Sequence, residues 1–219
     1  MHQSLDAYRT KGQLVYEQLK ADILAGTPRP GERLVIDRIA AELNVSKVPV
    51  REAIDRLIGE GWLARSPHVG PYVPELEPGE VHETAVIRAA LESAAIRHAV
   101  PHHDQRSLAK VDSILLRMKG TPADYPELNV RLHAALSAPC PYRQLRSMAA
   151  DQLERTSRYR TVLRLGDFVN ETHAEHERIV AAVKAGDAEL AASLTEAHIL
   201  HAAEKLEEHL STSKNVSQG

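Results

Sequence analysis

The chain has 219 residues, which is enough for one large domain or two small ones. Hydrophobic residues make up 43% and charged residues 26%, as in globular proteins, which excludes general disorder. The sequence has no apolar run of 18 residues and no apolar signal segment, and its one cysteine, Cys140, excludes an internal disulfide framework, so we expect a cytoplasmic protein with no membrane partner. The net charge of −3 gives no sign of a nucleic-acid partner, but twelve histidines beside one Phe and one Trp need an explanation.

A cluster of prolines and glycines over residues 67–79 divides the chain, because such residues mark turns and linkers. Residues 1–76 carry ten basic and ten acidic side chains, whereas residues 77–219 carry 17 and 20, so the net acidity lies wholly in the second part. The expected parts are a first domain over 1–74, a linker over 75–77, a helical domain over 78–210 and a disordered tail over 211–219.

The first domain has the pattern of three short helices followed by a hairpin. Asn44 and Val45 suit a tight turn, and Ser46 is a good N-cap for the helix that follows. This order is that of a winged helix-turn-helix, whose third helix enters the major groove of DNA. The expected elements are helices over 11–25, over 37–43 and from Ser46 to Gly61, and a hairpin that pairs 62–65 with 71–73.

A helix that enters the major groove needs a first turn with little bulk and with donors for bases and phosphates. Arg51 can reach a phosphate or a guanine edge, and the glycine of the wing tip lets the backbone approach a groove. A winged helix used only for protein contacts is the alternative, which the neutral charge of the domain slightly favours. The residues expected to contact DNA are Arg38, Ser46, Lys47, Val48, Pro49, Arg51, His68 and Gly70.

After residue 78 no segment has the pattern of a strand. Stretches with helical spacing are separated by proline and glycine, and helices without strands form an all-α bundle. The fold class is therefore mainly α, an N-terminal winged helix-turn-helix with a C-terminal bundle of six or seven helices. The expected helices span about 78–99, 104–118, 123–137, 141–163, 168–185 and 187–210.

Three histidines of the second domain lie on apolar helix faces. His133 shares a face with Asn129 one turn earlier, and His176 and His198 are 10 residues before and 12 residues after the short turn at Gly186. Antiparallel helices on either side of that turn bring His176 and His198 to one level. Three neutral imidazoles suit zinc, nickel and similar cations, with Asn129 as an oxygen ligand. The alternative is that each histidine is a hydrogen-bonded core residue.

Residues 14–73 resemble the GntR family of bacterial transcription regulators, whose pattern around the turn is close to A-x-x-L-G-V-S-R-x-P-V-R-E-A-L. The chain reads AELNVSKVPVREAI over that stretch. Asn44 replaces the usual glycine and tolerates the left-handed conformation nearly as well. Lys47 replaces an arginine that reads bases in the family, which weakens bidentate recognition of guanine. Val48 replaces a threonine.

Residues 78–210 contain Arg88-x-x-Leu91-Glu92, Asn129-x-x-Leu132-His133-x-x-Leu136 and Glu175-His176-x-x-Ile179. With these motifs they resemble the FCD ligand-binding domain of the FadR-type subfamily, and six helices suit its VanR-like branch. The resemblance implies a divalent metal, zinc or nickel, at His133, His176 and His198, with Asn129 in place of the family's Asp, a loss of charge that weakens binding. It also implies a small carboxylate effector, which Arg88 is expected to bind. The alternative is that Arg88 and Glu92 only pair with each other on the protein surface. The effector-binding candidates are Arg88, Glu92, Arg155 and Tyr159.

The resemblance implies a ligand-responsive regulator, by family default a repressor, that binds a pseudo-palindromic operator as a homodimer. The alternative is a metal-dependent enzyme that uses the three-histidine site in the bundle. Against an enzyme, the sequence has no His-Glu-x-x-His motif and no evident general base beside the proposed ligands. A structural DNA-bending protein does not explain the inward histidines.

Overall fold

The computed structural model describes residues 10–67, 69–75, 78–120, 124–156 and 166–216. The chain divides into two compact units, Met1–Leu76 and Glu77–Gly219. No helix in the described ranges is long and apolar enough to cross a lipid bilayer.

The first unit has the predicted order of three helices and a hairpin. Its core forms because Val50, Ile54 and Leu57 recur on one face of the third helix, where they are fully buried. In the hairpin, Arg65 lies opposite Pro71 in an antiparallel pair. The elements are α1 (Lys11–Leu24), α2 (Ile36–Glu42), α3 (Lys47–Gly59), β1 (Ala64–Ser66) and β2 (Gly70–Tyr72).

The turn between α2 and α3 depends on a single left-handed residue. Asn44 has a φ of 51°, the conformation that a glycine adopts at this place in the family pattern. Ser46 then occupies the N-cap position of α3, although its side chain makes no cap hydrogen bond. The serine hydroxyl is therefore not used to hold the helix.

The described residues of the second unit form helices joined by short connections and contain no strand, as predicted. α4 packs along α9, α8 packs against α9, and α4 also contacts α7. Leu128, Leu132 and Ile179 are among the fully buried side chains of its core. The helices are α4 (Pro78–Ala99), α5 (Gln105–Gly120), α6 (Tyr125–Ser137), α7 (Arg143–Thr156), α8 (Gly166–Lys184) and α9 (Ala188–Val216), with a short 3-10 turn at Val100–His102.

The end of α9 differs from the expected one. α9 continues to Val216, although its expected end is 210 and the expected disordered tail is 211–219. Residues 211–216 contain neither glycine nor proline, so nothing in them terminates a helix. The described part of α7 ends at Thr156, so the expected continuation over 157–163 lies outside the described residues.

The turn between α8 and α9 sets the level of the residues on both helices. Gly186 has a φ of 76°, and its N–H donates to the carbonyl of Val183. Because only a glycine takes this conformation without strain, the chain reverses here and α9 returns alongside α8.

Candidate functional site

Three buried histidines meet inside the helical unit. His133 on α6, His176 on α8 and His198 on α9 are exposed by only 1%, 0% and 5%. One ring nitrogen from each lies within 4.8 Å of those of the other two. The Nε2 atoms of His133 and His176 are 3.3 Å apart. The expectation that these three side chains share one place in the bundle agrees with these distances.

Two carboxylates hold two of these imidazoles from behind. The Nδ1 of His133 lies 2.7 Å from Glu92 Oε2, and the Nδ1 of His198 lies 2.7 Å from Glu175 Oε2. Each Nδ1–H donates to its carboxylate, which fixes the tautomer with a free lone pair on Nε2. The carboxylates therefore orient the Nε2 lone pairs toward the centre of the cluster.

A tyrosine hydroxyl contacts the third imidazole. His176 Nδ1 lies 3.2 Å from the Tyr125 hydroxyl, which is 2.8 Å from Thr172 Oγ1. A hydroxyl accepts as well as donates, so His176 Nε2 carries a lone pair when Nδ1–H donates to Tyr125, and Nε2–H donates to His133 Nε2 when Tyr125 donates to Nδ1. Burial raises the pKa of Tyr125 to about 12, so this hydroxyl keeps its proton at neutral pH.

The surroundings favour the neutral forms of His176 and His198. Burial, and the Arg88 and His133 side chains nearby, lower the pKa of His198 to about 4 even though Glu175 opposes the shift. Burial and the adjacent His198 lower the pKa of His176 well below its ordinary value. Burial alone would raise the pKa of Glu92, but Arg88 and His133 lower it to about 2.

These residues fit a divalent cation of the zinc type. Two nitrogens bonded to one tetrahedral ion at 2.0–2.1 Å are separated by about 3.4 Å, close to the 3.3 Å between His133 and His176. With both Nδ1 atoms donating outward, two lone pairs face each other across that distance, an arrangement that a cation stabilises. Asn129 is half-buried one turn before His133 on α6.

The predicted Arg88–Glu92 pair forms, but inside the bundle rather than on its surface. The side chains are exposed by only 11% and 3%, and Arg88 Nε donates to Glu92 Oε1. Glu92 has both oxygens engaged, one by Arg88 and one by His133, so the carboxylate holds the cluster, and its contact with an effector stays a prediction. The Arg88 Nη2 is buried and has no hydrogen-bond partner among the described residues.

The other candidates have less defined positions. Arg155 is exposed on α7, and Tyr159 lies outside the described residues. His201, a neighbour of the cluster, places Nδ1 2.7 Å from Glu175 Oε1, so that one carboxylate holds two histidines of α9. His173, the other neighbour, lies 3.5 Å from Glu177.

Sequence reasoning named Glu92 as an effector contact, but it did not predict that Glu92, Glu175 and Tyr125 contact the imidazoles. Glu175 immediately precedes His176, and this adjacency is the only sequence signal that a carboxylate reaches α9 from α8. Tyr125 lies eight residues before His133 on the same inner face of α6, which is the corresponding signal for the hydroxyl.

The first turn of α3 presents an exposed surface in the first unit. Ser46, Lys47 and Arg51 are exposed, and Val48 is 60% exposed although it is apolar. Pro49 does not belong to this surface, because it lies on the inner face of α3 with Val50 and is buried.

Acidic side chains pair with two of the predicted DNA contacts. Lys47 Nζ lies 2.9 Å from a carboxylate oxygen of Asp37, and Arg38 lies 3.3 Å from Glu42 on the same helix. All four side chains are exposed, so these pairs are weak and can be exchanged for phosphates.

The wing is a tight turn between β1 and β2. Gly70 has a φ of 89°, which a glycine adopts without strain. His68, also predicted to contact DNA, lies outside the described residues.

Comparison with known proteins identifies both units. Residues 11–73 match the bacterial regulatory proteins of the gntR family, and residues 83–201 match the FCD domain. The HTH-type transcriptional regulator YdhC of Bacillus subtilis (strain 168) is 30% identical over 206 residues, covering 91% of this chain and 92% of that protein. HTH-type transcriptional regulator McbR of Escherichia coli (strain K12) is 32% identical over 105 residues, 48% of each chain.

Solved structures share the fold. E. coli McbR/YncC superposes with a TM-score of 0.79 at 23% identity, covering 92% of this chain and 99% of that one. A GntR transcriptional regulator from Rhodococcus sp. RHA1 gives 0.77 at 21% identity, covering 90% and 98%. The chain belongs to the GntR family of bacterial regulators with an FCD domain, and is therefore a transcriptional regulator and not an enzyme.

Proposed function

We propose that this regulator is a cytoplasmic repressor that binds a pseudo-palindromic operator as a homodimer and is released by a small organic acid bound near a divalent metal in the FCD domain. The observation that carries the ligand part is the cluster of three buried histidines, each with Nδ1 engaged from behind. An ion at the centre of the cluster accounts for three ring nitrogens that converge within 4.8 Å of one another.

In this proposal His133, His176 and His198 hold zinc or nickel through Nε2, and Asn129 adds an oxygen ligand. The ion supplies positive charge for a carboxylate. A histidine that binds an ion through Nε2 is neutral, so only the Glu92 and Glu175 carboxylates behind the ligands offset the charge of the ion. Because Glu92 is already paired with Arg88, this favours an anionic effector. Arg88, four residues before Glu92, supplies a second positive group for the same anion.

At the DNA end, the first turn of α3 enters the major groove. Arg51 donates to a phosphate or to a guanine, Ser46 offers its hydroxyl together with the N-terminal N–H groups of α3 to a phosphate, and Val48 contacts a thymine methyl. Lys47 and Arg38 exchange their carboxylate partners for phosphates, and the backbone at Gly70 approaches the neighbouring groove.

A mobility-shift assay on the promoter fragment of the gene itself tests the proposal at low salt. We expect a retarded band with the zinc-loaded protein, loss of that band on addition of an effective acid, and at least tenfold weaker binding for Arg51→Ala. The matched control is Arg131→Ala, an exposed arginine of the second unit, which should bind DNA like the wild type. A band that no acid changes, with or without zinc, would contradict effector release.

A metal titration tests the cluster separately. The wild type should bind one zinc per chain, and His176→Ala should bind it at least tenfold more weakly. His209→Ala, which alters a histidine that the cluster does not include, is the control. Equal zinc affinity in the His176→Ala and His209→Ala variants would contradict the metal site.

A further inference from the structure

A recess beside the histidine cluster has an apolar wall and one unsatisfied donor. It lies between α4, α7 and α9, has a cavity volume of about 40 Å³ and is partly open to solvent. α4 contributes Val81, Ala85 and Arg88, which recur on one helix face, and α9 contributes Ile199 and Leu206 from its facing side. Of these five side chains, the four other than Arg88 are hydrocarbon and offer an occupant no hydrogen bond.

The two polar side chains of the recess, Thr156 and Arg88, differ in whether their hydrogen-bond donors have acceptors. Thr156 directs its hydroxyl at the carbonyls of Gln152 and Leu153 in its own helix. Arg88 Nη2 is buried and has no hydrogen-bond partner in the described part of the chain, although Nε of the same guanidinium is bonded to Glu92. A buried guanidinium N–H without an acceptor is costly, so the recess is built to receive an acceptor at this point.

We infer that the effector is a monocarboxylate with a hydrocarbon body. This inference rests on the proposed function and narrows its organic acid to one chemical class. One carboxylate oxygen accepts from Arg88 Nη2, while the body lies along the apolar faces of α4 and α9. A di- or tricarboxylate or a polyhydroxy acid gains no polar partner from Val81, Ile199 and Leu206, so such acids should bind the recess more weakly.

Titration calorimetry on the full zinc-loaded chain tests the class, with the series butanoate, hexanoate and octanoate against malate and citrate. Each added methylene that enters the recess should tighten binding about fourfold, since burying one contributes about 0.8 kcal/mol. Affinity that is independent of chain length, or citrate binding more tightly than hexanoate, would overturn the inference. The series uses the unaltered protein, so folding of a variant is not at issue.

Two matched pairs of variants place the acid. Ala202→Leu adds a side chain from a half-buried residue of the recess wall and should weaken hexanoate binding at least tenfold, whereas Ala197→Leu, exposed on the same helix, should not. Arg88→Gln should weaken binding of every member of the series by about the same factor, and Arg97→Gln, an exposed arginine of α4, should leave it unchanged. Hexanoate binding that Ala202→Leu leaves intact would overturn the placement.

The two proposals fail separately. If hexanoate binds with the expected dependence on chain length but leaves the operator band unchanged, the recess is a carboxylate site and acid-induced release is wrong. If malate or citrate releases the operator while hexanoate does not bind, release stands and the apolar class is wrong.

Discussion

Replacement of Glu92 by glutamine perturbs the most densely paired group of the helical unit. The carboxylate is 2% exposed and accepts hydrogen bonds from both His133 and Arg88. Glu92→Gln keeps the shape but removes the negative charge that balances the largely buried guanidinium. Breaking a buried ion pair by removing one partner costs about 3–5 kcal/mol, a large share of the 5–15 kcal/mol that a typical domain possesses.

Urea unfolding measures this cost, and the chain offers an internal reference. Far-UV circular dichroism reports both units, whereas fluorescence of the single tryptophan, Trp62, reports the first unit, in whose core it lies. At a slope of about 2 kcal/mol per molar urea, Glu92→Gln should lower the dichroism midpoint of the second unit by about 1.5–2.5 M. The Trp62 transition should stay in place.

The control is Glu189→Gln, which removes another carboxylate that pairs with an arginine of α4. Glu189 is 76% exposed and its partner Arg97 is 40% exposed, so this pair contributes less than about 1 kcal/mol. If the two variants unfold within about 0.5 kcal/mol of each other, the reasoning from burial and charge at Glu92 is refuted.

Three further predictions concern pH, DNA affinity and metal removal. The pKa of His198 is about 4 in the folded protein and about 6.5 in the unfolded chain, so the unfolded state binds the proton first as the pH falls. The metal-free protein should therefore lose on the order of 3 kcal/mol of unfolding free energy between pH 6.5 and pH 4. A urea midpoint that does not change over that range would contradict this. Asp37→Asn should strengthen binding to DNA of any sequence, by at most about fivefold, because Lys47 then contacts a phosphate without first leaving a carboxylate. Mobility shifts over a series of salt concentrations measure this, and equal affinity of the variant and the wild type would contradict the prediction. Chelation of zinc held at 100 times its wild-type Kd should reversibly lower the free energy of unfolding of the wild type by about 2.7 kcal/mol. It should lower that of His176→Ala by at most about 1.4 kcal/mol, since this variant binds zinc at least tenfold more weakly, as thermal melts would record.

The helices could be predicted closely from local chemistry because glycine and proline occur at most of their ends. Gly186 is the clearest case, since one left-handed residue reverses the chain and sets His176 opposite His198. The meeting of these two histidines therefore follows from counting residues on either side of a turn. The end of α9 was not predicted correctly, because residues 211–216 are mostly polar but include no glycine or proline, and polarity alone does not end a helix.

Contacts between side chains on different helices were harder to predict than the histidines themselves. Glu175 and His198 lie 23 residues apart, and their hydrogen bond depends on how α8 is rotated against α9. Glu92 is a second example. The i, i+4 spacing of Arg88 and Glu92 predicts that they pair, but it does not predict that His133 of α6 binds the same carboxylate. Helical spacing indicates which face a residue occupies, but not which partner the neighbouring helix presents to it.

The position of Arg88 has a consequence for how metal and acid act together. Its Nε is bonded to Glu92, which holds His133, while its Nη2 is free for the acid in the recess. An acid on Nη2 and an ion on His133 therefore share one chain of charged hydrogen bonds, so each ligand should stabilise the arrangement that the other needs. By linkage, zinc must tighten hexanoate binding by the same factor as hexanoate tightens zinc binding, and couplings of this kind are typically about 5- to 150-fold.

Calorimetric titration of each ligand in the presence and absence of the other measures that factor. In Glu92→Gln the link between Arg88 and His133 is weakened, and the factor should fall toward one while hexanoate still binds. Glu189→Gln should keep the wild-type factor, because its carboxylate lies outside this chain of bonds. A factor that Glu92→Gln leaves unchanged would mean that the ion attracts the acid directly through space, and that Glu92 and Arg88 do not carry the coupling.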